Sequence, residues 1–305
     1  MGLSVIIPVK DDARLEVCLR ALSDQTLPRE RFEVVVVDNG PADSVRALAA
    51  RFDARYLIQR EGGSYAARDR GASVAYGDVL VFTDADCRAP PGWLATFDRT
   101  FADPTCEVVI GPSVSADSST VSLWAQAIDD ARWDALRRSD RIAFCDTRNL
   151  ALRREVLAAV PFDVAFRQAG DVDLGLRLYR AGFQIRMLPA ASIAHDNPRS
   201  LRVMLRRGIR RGRGIARLER KHGAFVGPIG ERPLRLGGID LKRPILAIAR
   251  HPLVRWPAMA LVTASFAPLV GILWLLARLP SGRAAGQRLF VVFERLTLLL
   301  GRLLG

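Results

Sequence analysis

The sequence predicts an α/β protein built on a mostly parallel sheet with helices on both faces, followed by a basic helical third. Three observations carry this. Short apolar runs alternate with stretches of helical periodicity through residues 3–111. The runs are rich in β-branched residues and almost free of polar ones, as strands covered on both faces read. The charge is also split: residues 199–305 hold 21 Lys+Arg against 4 Asp+Glu, a net +17, whereas residues 1–198 hold 24 against 28, a net −4. The overall +13 is thus a property of the C-terminal part, and points to an anionic partner such as a membrane, a lipid phosphate or a nucleic acid.

Leu3–Val9 forms the first strand. Leu15, Cys18, Leu19 and Leu22 recur at i, i+3, i+4 and i+7, one face of a helix. Glu33–Val37 is a second strand, closed by the turn signal Asp38-Asn39-Gly40-Pro41. Val45, Leu48, Ala49 and Phe52 repeat the helical spacing before a short strand at Arg55–Ile58. A helix at Tyr65–Ala75 leads into the strand Val79–Thr83. Pro90-Pro91-Gly92 opens a helix carrying Trp93, Phe97 and Phe101, and Val108–Gly111 is a fifth strand. Beyond residue 119 the pattern changes. It predicts a helix at Val121–Arg138, a strand then a helix over Leu150–Val160, a helix at Asp171–Ala181 stopped by Gly182, a strand at Gln184–Leu188 and a basic helix at Arg199–Lys221. The division expected is a domain over 1–198 with a seam near 115/116, a basic helix at 199–222, a Gly- and Pro-containing linker at 223–250, and an apolar helical segment at 251–305.

Trp256–Ala277 is 22 residues without a charge, long enough to cross a bilayer core, with arginines at 250, 255, 278 and 283 on its flanks. Leu289–Leu304 contains Glu294, Arg295 and Arg302 and reads as amphipathic. Both segments also suit core helices of a soluble domain. A single span would leave the arginine-bearing tail on the far side, against the positive-inside tendency, so Trp256–Leu279 and Leu289–Leu304 are expected as a hairpin or in-plane anchor. The basic helix sets ten cations against Glu219 alone and lacks interleaved aromatics, which favours anionic membrane lipids over nucleic acid. Cys18, Cys87, Cys106 and Cys145 show no CxxC spacing and read as buried thiols. The N-terminus has neither a basic start nor a cleavage site, so no secretory signal is expected. Together these place the chain at the cell membrane, with residues 1–198 on the cytoplasmic side.

In such sheets ligands bind at the carboxyl ends of the strands, which directs attention to Pro8–Asp12, Asp38–Gly40 and Thr83–Asp86. Asp84-Ala85-Asp86 follows a strand directly. Its paired carboxylates can share one hard cation, Mg2+ or Mn2+, and the phosphates that it bridges; the alternative is a solvated turn. Asp38 suits either a hydrogen bond from a base or ribose, or turn chemistry. His195 suits a metal ligand or a structural histidine equally well. Asp171, by position, reads as a helix N-cap. Neither GxGxxG nor a Gly-Lys pair occurs, which makes dinucleotide and P-loop sites poor readings.

Several ordered motifs resemble glycosyltransferase family 2 over roughly residues 3–195. They are Ser4-Val5-Ile6-Ile7-Pro8-Val9, Val34-Val35-Val36-Val37-Asp38, Ala66-Ala67-Arg68-Asp69-Arg70-Gly71, Gly77-Asp78-Val79-Leu80-Val81-Phe82-Thr83-Asp84-Ala85-Asp86, and Asn149-Leu150-Ala151-Leu152-Arg153-Arg154-Glu155-Val156 followed by Gly170-Asp171-Val172-Asp173. The resemblance implies a GT-A fold and inverting transfer from a nucleoside diphosphate sugar, with 1–115 binding the donor and 116–198 the acceptor. It makes Pro8, Asp12, Asp38, Arg68 and Asp84 donor-binding, with Asp12 near the ribose, Asp38 at the base and Arg68 lining the nucleotide pocket. It makes Asp86 the direct metal ligand and Asp171 the general base; His195 is the candidate further metal ligand by its position alone. Asp173 is a further substrate-binding candidate, with a local arginine as its other partner. Two departures matter: Gly170 stands where the family has Glu, and Asp69 where it has Asn. The family's processive Gln-x-x-Arg-Trp motif is absent, which implies one sugar per encounter. The function expected is a membrane-associated, metal-dependent transfer to a lipid-linked or glycan acceptor. Two alternatives stand beside it. One is nucleotidyl transfer to a sugar phosphate, which usually needs a Gly-rich loop after the first strand. The other is a non-catalytic membrane scaffold with a degenerate transferase domain.

Overall fold

The computed structural model describes residues 2–40, 43–139, 141–223, 235–236, 239–240, 252–278 and 282–304. The chain divides into two units. The first comprises residues 1–116 and 136–196, the second 117–135 and 197–305.

The first unit is built on a seven-stranded sheet. Its strands are β1 (Leu3–Val9), β2 (Phe32–Asp38), β3 (Arg55–Ile58), β4 (Val79–Thr83), β6 (Val108–Ile110), β8 (Asn149–Arg153) and β9 (Ile185–Met187). They lie in the order β3-β2-β1-β4-β8-β6-β9. All neighbours run parallel except β8, which is antiparallel to both β4 and β6. Strands β1, β2 and β4 are buried throughout, as their unbroken apolar runs require. Helices α1 (Leu15–Ser23), α2 (Asp43–Arg51) and α3 (Gly63–Val74) follow β1, β2 and β3 in turn, and α4 (Trp93–Phe101) comes after β4. Leu15, Cys18, Leu19 and Leu22 are the buried face of α1, and Trp93, Leu94, Phe97 and Phe101 that of α4. Their apolar side chains join those of β1, β2 and β4 in one core.

A second sheet, unpredicted, has three very short strands in the order β5 (Cys87–Arg88), β10 (Ile193–His195), β7 (Ser113–Ser115). It pairs His195 with Cys87 and so brings a distant histidine beside the turn that follows β4. Helices α6 (Arg154–Ala159) and α7 (Gly170–Arg180) complete this unit, and Gly182, with φ of +90°, ends α7 as expected.

The second unit is helical. The first part of α5 (Thr120–Arg137) belongs to it, because Val121, Trp124 and Ala125 share an apolar cluster with Met204, Phe266, Leu273, Phe290, Phe293 and Leu300. The unit division thus runs through the expected 116–198 part. Helix α8 (Leu201–His222) begins at Ser200, whose hydroxyl caps Val203 N–H. Helices α9 (Pro252–Arg278) and α10 (Gly282–Leu304) follow. At Gly212 of α8 a Cβ would lie 2.2 Å from the Leu298 carbonyl, so glycine permits close helix contact there. The Leu289–Leu304 segment buries Phe290, Phe293, Leu298, Leu300 and Leu303 within the unit. Among the described residues, no helix is long and apolar enough to cross a membrane. Of the expected linker, the described part is a two-stranded pairing of β11 (Arg235–Leu236) with β12 (Ile239–Asp240); residues 224–234, 237–238 and 241–250 lie outside the described residues.

Candidate active site

The site lies at the carboxyl ends of β1, β2 and β4, all within the first unit. Pairing between β1 and β4 ends at Ile6↔Phe82, whereas β1 stays with β2 to Val9↔Asp38. The strands thus part beside the Asp84-Ala85-Asp86 turn, where open α/β sheets bind ligands. Within that turn Cys87 N–H bonds to Asp84 C=O at 3.0 Å. Ala85 buries its methyl in the core, while the flanking carboxylates of Asp84 and Asp86 stay 29% and 21% exposed.

Each carboxylate has its own partner. Arg68 of α3, 3% exposed, pairs with Asp84 Oδ1. Burial raises the Asp84 carboxyl above its ordinary range, against the opposing pull of Arg68. Asp86 Oδ2 faces His195 Nε2 at 3.5 Å and Arg14 at 3.4 Å. Arg14 is in turn held by Asp12, through its guanidinium at 2.6 Å and its backbone N–H at 3.0 Å. Behind His195, Arg148 approaches Nδ1 at 3.5 Å and is itself fixed by Asp146 at 2.5 Å. A guanidinium can only donate, so this approach favours the tautomer whose Nε2–H points at Asp86.

Asp171 sits in the first turn of α7. The N-cap is Ala169, in a left-handed conformation with φ of +63°, so the N-cap reading of Asp171 is corrected. Tyr65 of α3 donates its hydroxyl to Asp171 Oδ1 at 3.1 Å, and Val172 N–H reaches the same oxygen at 2.9 Å. Asp171 Oδ2 has no hydrogen bond among the described residues. Burial, with Asp146 as the second cause, raises this carboxyl above the ordinary range, the direction a general base needs near neutral pH. Tyr65 and Arg68 lie one turn apart on α3, with the guanidinium 5.3 Å from the ring centroid. One helix face thus runs from Asp84 to Asp171.

Other sequence candidates sit differently. Asp38 is fully buried, with Oδ1 taking Gly40 N–H at 2.7 Å and Oδ2 the Tyr56 hydroxyl at 2.9 Å. The bond to Gly40 is the turn chemistry of the alternative reading. Arg68, almost fully buried, is paired with Asp84. Pro8 is buried inside β1, paired with Val37. Asp173 is fully buried and bound to Arg177 at 2.8 Å, the local arginine expected as its other partner. Arg14, Tyr65, Asp146 and Arg148 were not among the sequence candidates. The only cue for Arg14 is a cation two residues after Asp12; tyrosine at 65 reads as a core residue.

Among the described residues no group of three His, Cys, Asp or Glu is arranged to hold a metal by itself. Asp86, in the turn just before β5, and His195, at the end of β10, bring two donors together. Their chemistry fits a hard divalent cation that would take its remaining ligands from phosphates and water.

A sequence model of the family described as Glycosyl transferase family 2 matches residues 4–161, more than half of the chain. The chain belongs to glycosyl transferase family 2. Among its relatives is Glycosyltransferase AglE of Haloferax volcanii, 33% identical over 202 residues that cover 63% of this chain and 64% of AglE. The Pre-mycofactocin glycosyltransferase of Mycobacterium tuberculosis is 29% identical over 248 residues, covering 74% of this chain and 49% of that protein. The chain thus spans about half to two thirds of the length of these curated relatives. The fold is GT-A-like. The mannosyltransferase PcManGT from Pyrobaculum calidifontis, solved with GDP-Man and Mn2+, superposes with a TM-score of 0.62 at 20% identity, over 97% of this chain and 86% of that one.

Proposed function

We propose that this family 2 member transfers one sugar, with inversion, from a nucleoside diphosphate sugar to an acceptor hydroxyl. The observation that carries it is the run Asp84–Arg68–Tyr65–Asp171, which sets a donor-side acidic turn and a poised carboxylate on one helix face. The acceptor oxygen attacks the anomeric carbon as the bond to the diphosphate breaks and takes its electron pair away. Asp171 Oδ2, free of hydrogen bonds to the described residues, accepts the hydroxyl proton. Arg14, held by Asp12 and only partly covered, offers positive charge to the diphosphate.

Asp86 would hold a divalent cation, Mg2+ or Mn2+; His195 would join it through Nε2 only with its proton moved to Nδ1 and Arg148 turned away from that nitrogen. When bound, the cation neutralises the departing diphosphate. The Mn2+ in the PcManGT complex supports this reading.

The acceptor is a lipid-linked or membrane-proximal glycan, met at the cytoplasmic face of a membrane. Support comes from the second unit. Arg202, Arg206, Arg210, Arg213, Arg217 and Arg220 are exposed at spacings of three and four along α8, one continuous basic row. Ile272, Trp274 and Leu275 of α9 are exposed large apolar residues, suited to a bilayer interface. The four cysteines are free, in keeping with a reducing compartment.

The test is transfer from GDP-mannose and UDP-glucose, with Mn2+, to octyl glucoside and a short polyprenyl phosphate, followed by NMR. An inverted anomeric product, lost in Asp171→Asn, is expected. A retained configuration overturns the mechanism. Pyrophosphate release from a nucleoside triphosphate would favour the nucleotidyltransferase, and failure to bind any nucleotide sugar the scaffold.

A further inference from the structure

We propose that Tyr65 is the positioning residue for Asp171: its ring fills the space that a side chain at position 170 would need, and its hydroxyl fixes the carboxylate that takes the acceptor proton. The inference rests on the reading of Asp171 as base.

The packing is specific. A Cβ built on Gly170 would lie 2.8 Å from Cδ2 and Cε2 of the Tyr65 ring, below any normal contact distance. Glycine at 170 and the ring at 65 are therefore one arrangement. The ring is held from another side by Phe162, with centroids 6.0 Å apart, and by the Arg68 guanidinium at 5.3 Å. Tyr65 is 6% exposed, so its hydroxyl has little access to water. Its bond to Asp171 spans 106 residues of sequence and ties α3 to the start of α7. Because Oδ1 takes both the phenol and Val172 N–H, the carboxylate is fixed in rotation and Oδ2 is the oxygen left for a proton.

The groups facing Asp171 work in both directions. Asp146 raises its carboxyl, as burial does, while Arg68, Val172 N–H and the Tyr65 hydroxyl lower it. Burial lifts the nearby Cys145 thiol well above its ordinary range, so it adds no charge. Burial likewise lifts the Tyr65 phenol well above its usual range, so it stays a donor throughout the working pH span. Removing the phenol therefore raises the Asp171 carboxyl further. A base must be ionised, so the acid limb of the rate profile moves to higher pH.

The experiment measures nucleoside diphosphate release from the better of GDP-mannose and UDP-glucose, with Mn2+ and water as acceptor, on the full chain. Tyr65→Phe is expected to lower kcat about tenfold, as loss of a hydrogen bond to a charged group does. Donor KM should stay within about twofold. The acid limb should rise by on the order of one pH unit. Gly170→Glu alone should lose activity to the clash, and adding Tyr65→Ala should recover about tenfold of it. Wild-type kcat and pH profile in Tyr65→Phe, with Asp171→Asn inactive, would overturn the positioning role and leave the base standing. Loss of kcat and donor KM together with an unmoved acid limb would reduce Tyr65 to a packing residue and overturn it too. Failure of Tyr65→Ala to rescue Gly170→Glu overturns the claim that the ring occupies that space. Full activity in Asp171→Asn would remove the base reading itself.

Discussion

The two units of the chain use charge in opposite ways. In the sheet unit the charged groups in and around the site are paired: Asp84 with Arg68, Asp12 and Asp86 with Arg14, Asp146 with Arg148, Asp173 with Arg177. In the helical unit the acidic side chains are few, and pairs such as Glu294 with Arg211 and Glu219 with Arg302 lie near the helix contact, while six arginines of α8 line an exposed face. Paired, partly desolvated charges hold geometry and shift proton affinities. An exposed row of one sign instead attracts an anionic surface and is weakened by salt. The first kind suits chemistry on a fixed substrate, the second suits attachment to a fluid one.

The contrast is open to attack at four points. The largest effect is expected from Asp171→Asn, which should lower the transfer rate about a thousandfold with little change in unfolding midpoint, measured by steady-state kinetics and urea unfolding. Arg68→Ala comes next. It leaves the part-buried Asp84 without its cation and should cost about 3 kcal/mol of unfolding free energy. That cost has a sign in pH. Asp84 is already raised in the folded state, so the folded chain holds its proton more tightly than the unfolded chain does. Stability is therefore lost as pH rises through the folded value, and the loss should be steeper in Arg68→Ala than in the parent. Urea titrations at acid and neutral pH check it. Changing Arg206, Arg210 and Arg213 together to Gln should weaken binding to phosphatidylserine-rich vesicles about a hundredfold, at about 1 kcal/mol for each residue. The same substitutions should leave donor hydrolysis in detergent unchanged, which separates attachment from chemistry. The smallest effect is at Ala169, where relief of the left-handed strain by Ala169→Gly should stabilise the protein by up to about 1 kcal/mol.

The main sheet was readable because its central strands are long, apolar and β-branched, and the acidic turn was readable because it follows one of them directly. The second sheet was not. Cys87–Arg88 and Ser113–Ser115 are too short and too mixed in polarity to carry a period. That sheet is what sets His195 beside Asp86, so the sequence left His195 undecided. The direction of β8 was equally hidden, since a strand reads alike parallel or antiparallel. Helix α5 shows amphipathic spacing, but spacing does not say which unit its face joins. The burial of Asp38, Arg68 and Asp173 was not legible, because their partners Tyr56, Asp84 and Arg177 are fixed only by the fold. Tyr65 went unnoticed for the same reason: an aromatic residue on a helix reads as core until its hydroxyl is seen on Asp171.

If Asp86 grips a cation together with the donor's two phosphates, nucleotide-sugar affinity must depend on that metal through that one side chain. Calorimetry of GDP-mannose and UDP-glucose, with and without Mn2+, on the parent and on Asp86→Ala measures this directly. Binding of at least one donor that strengthens about a hundredfold with Mn2+ in the parent, and gains nothing from it in Asp86→Ala, is the expected result. Equal, metal-indifferent binding by both proteins would contradict it.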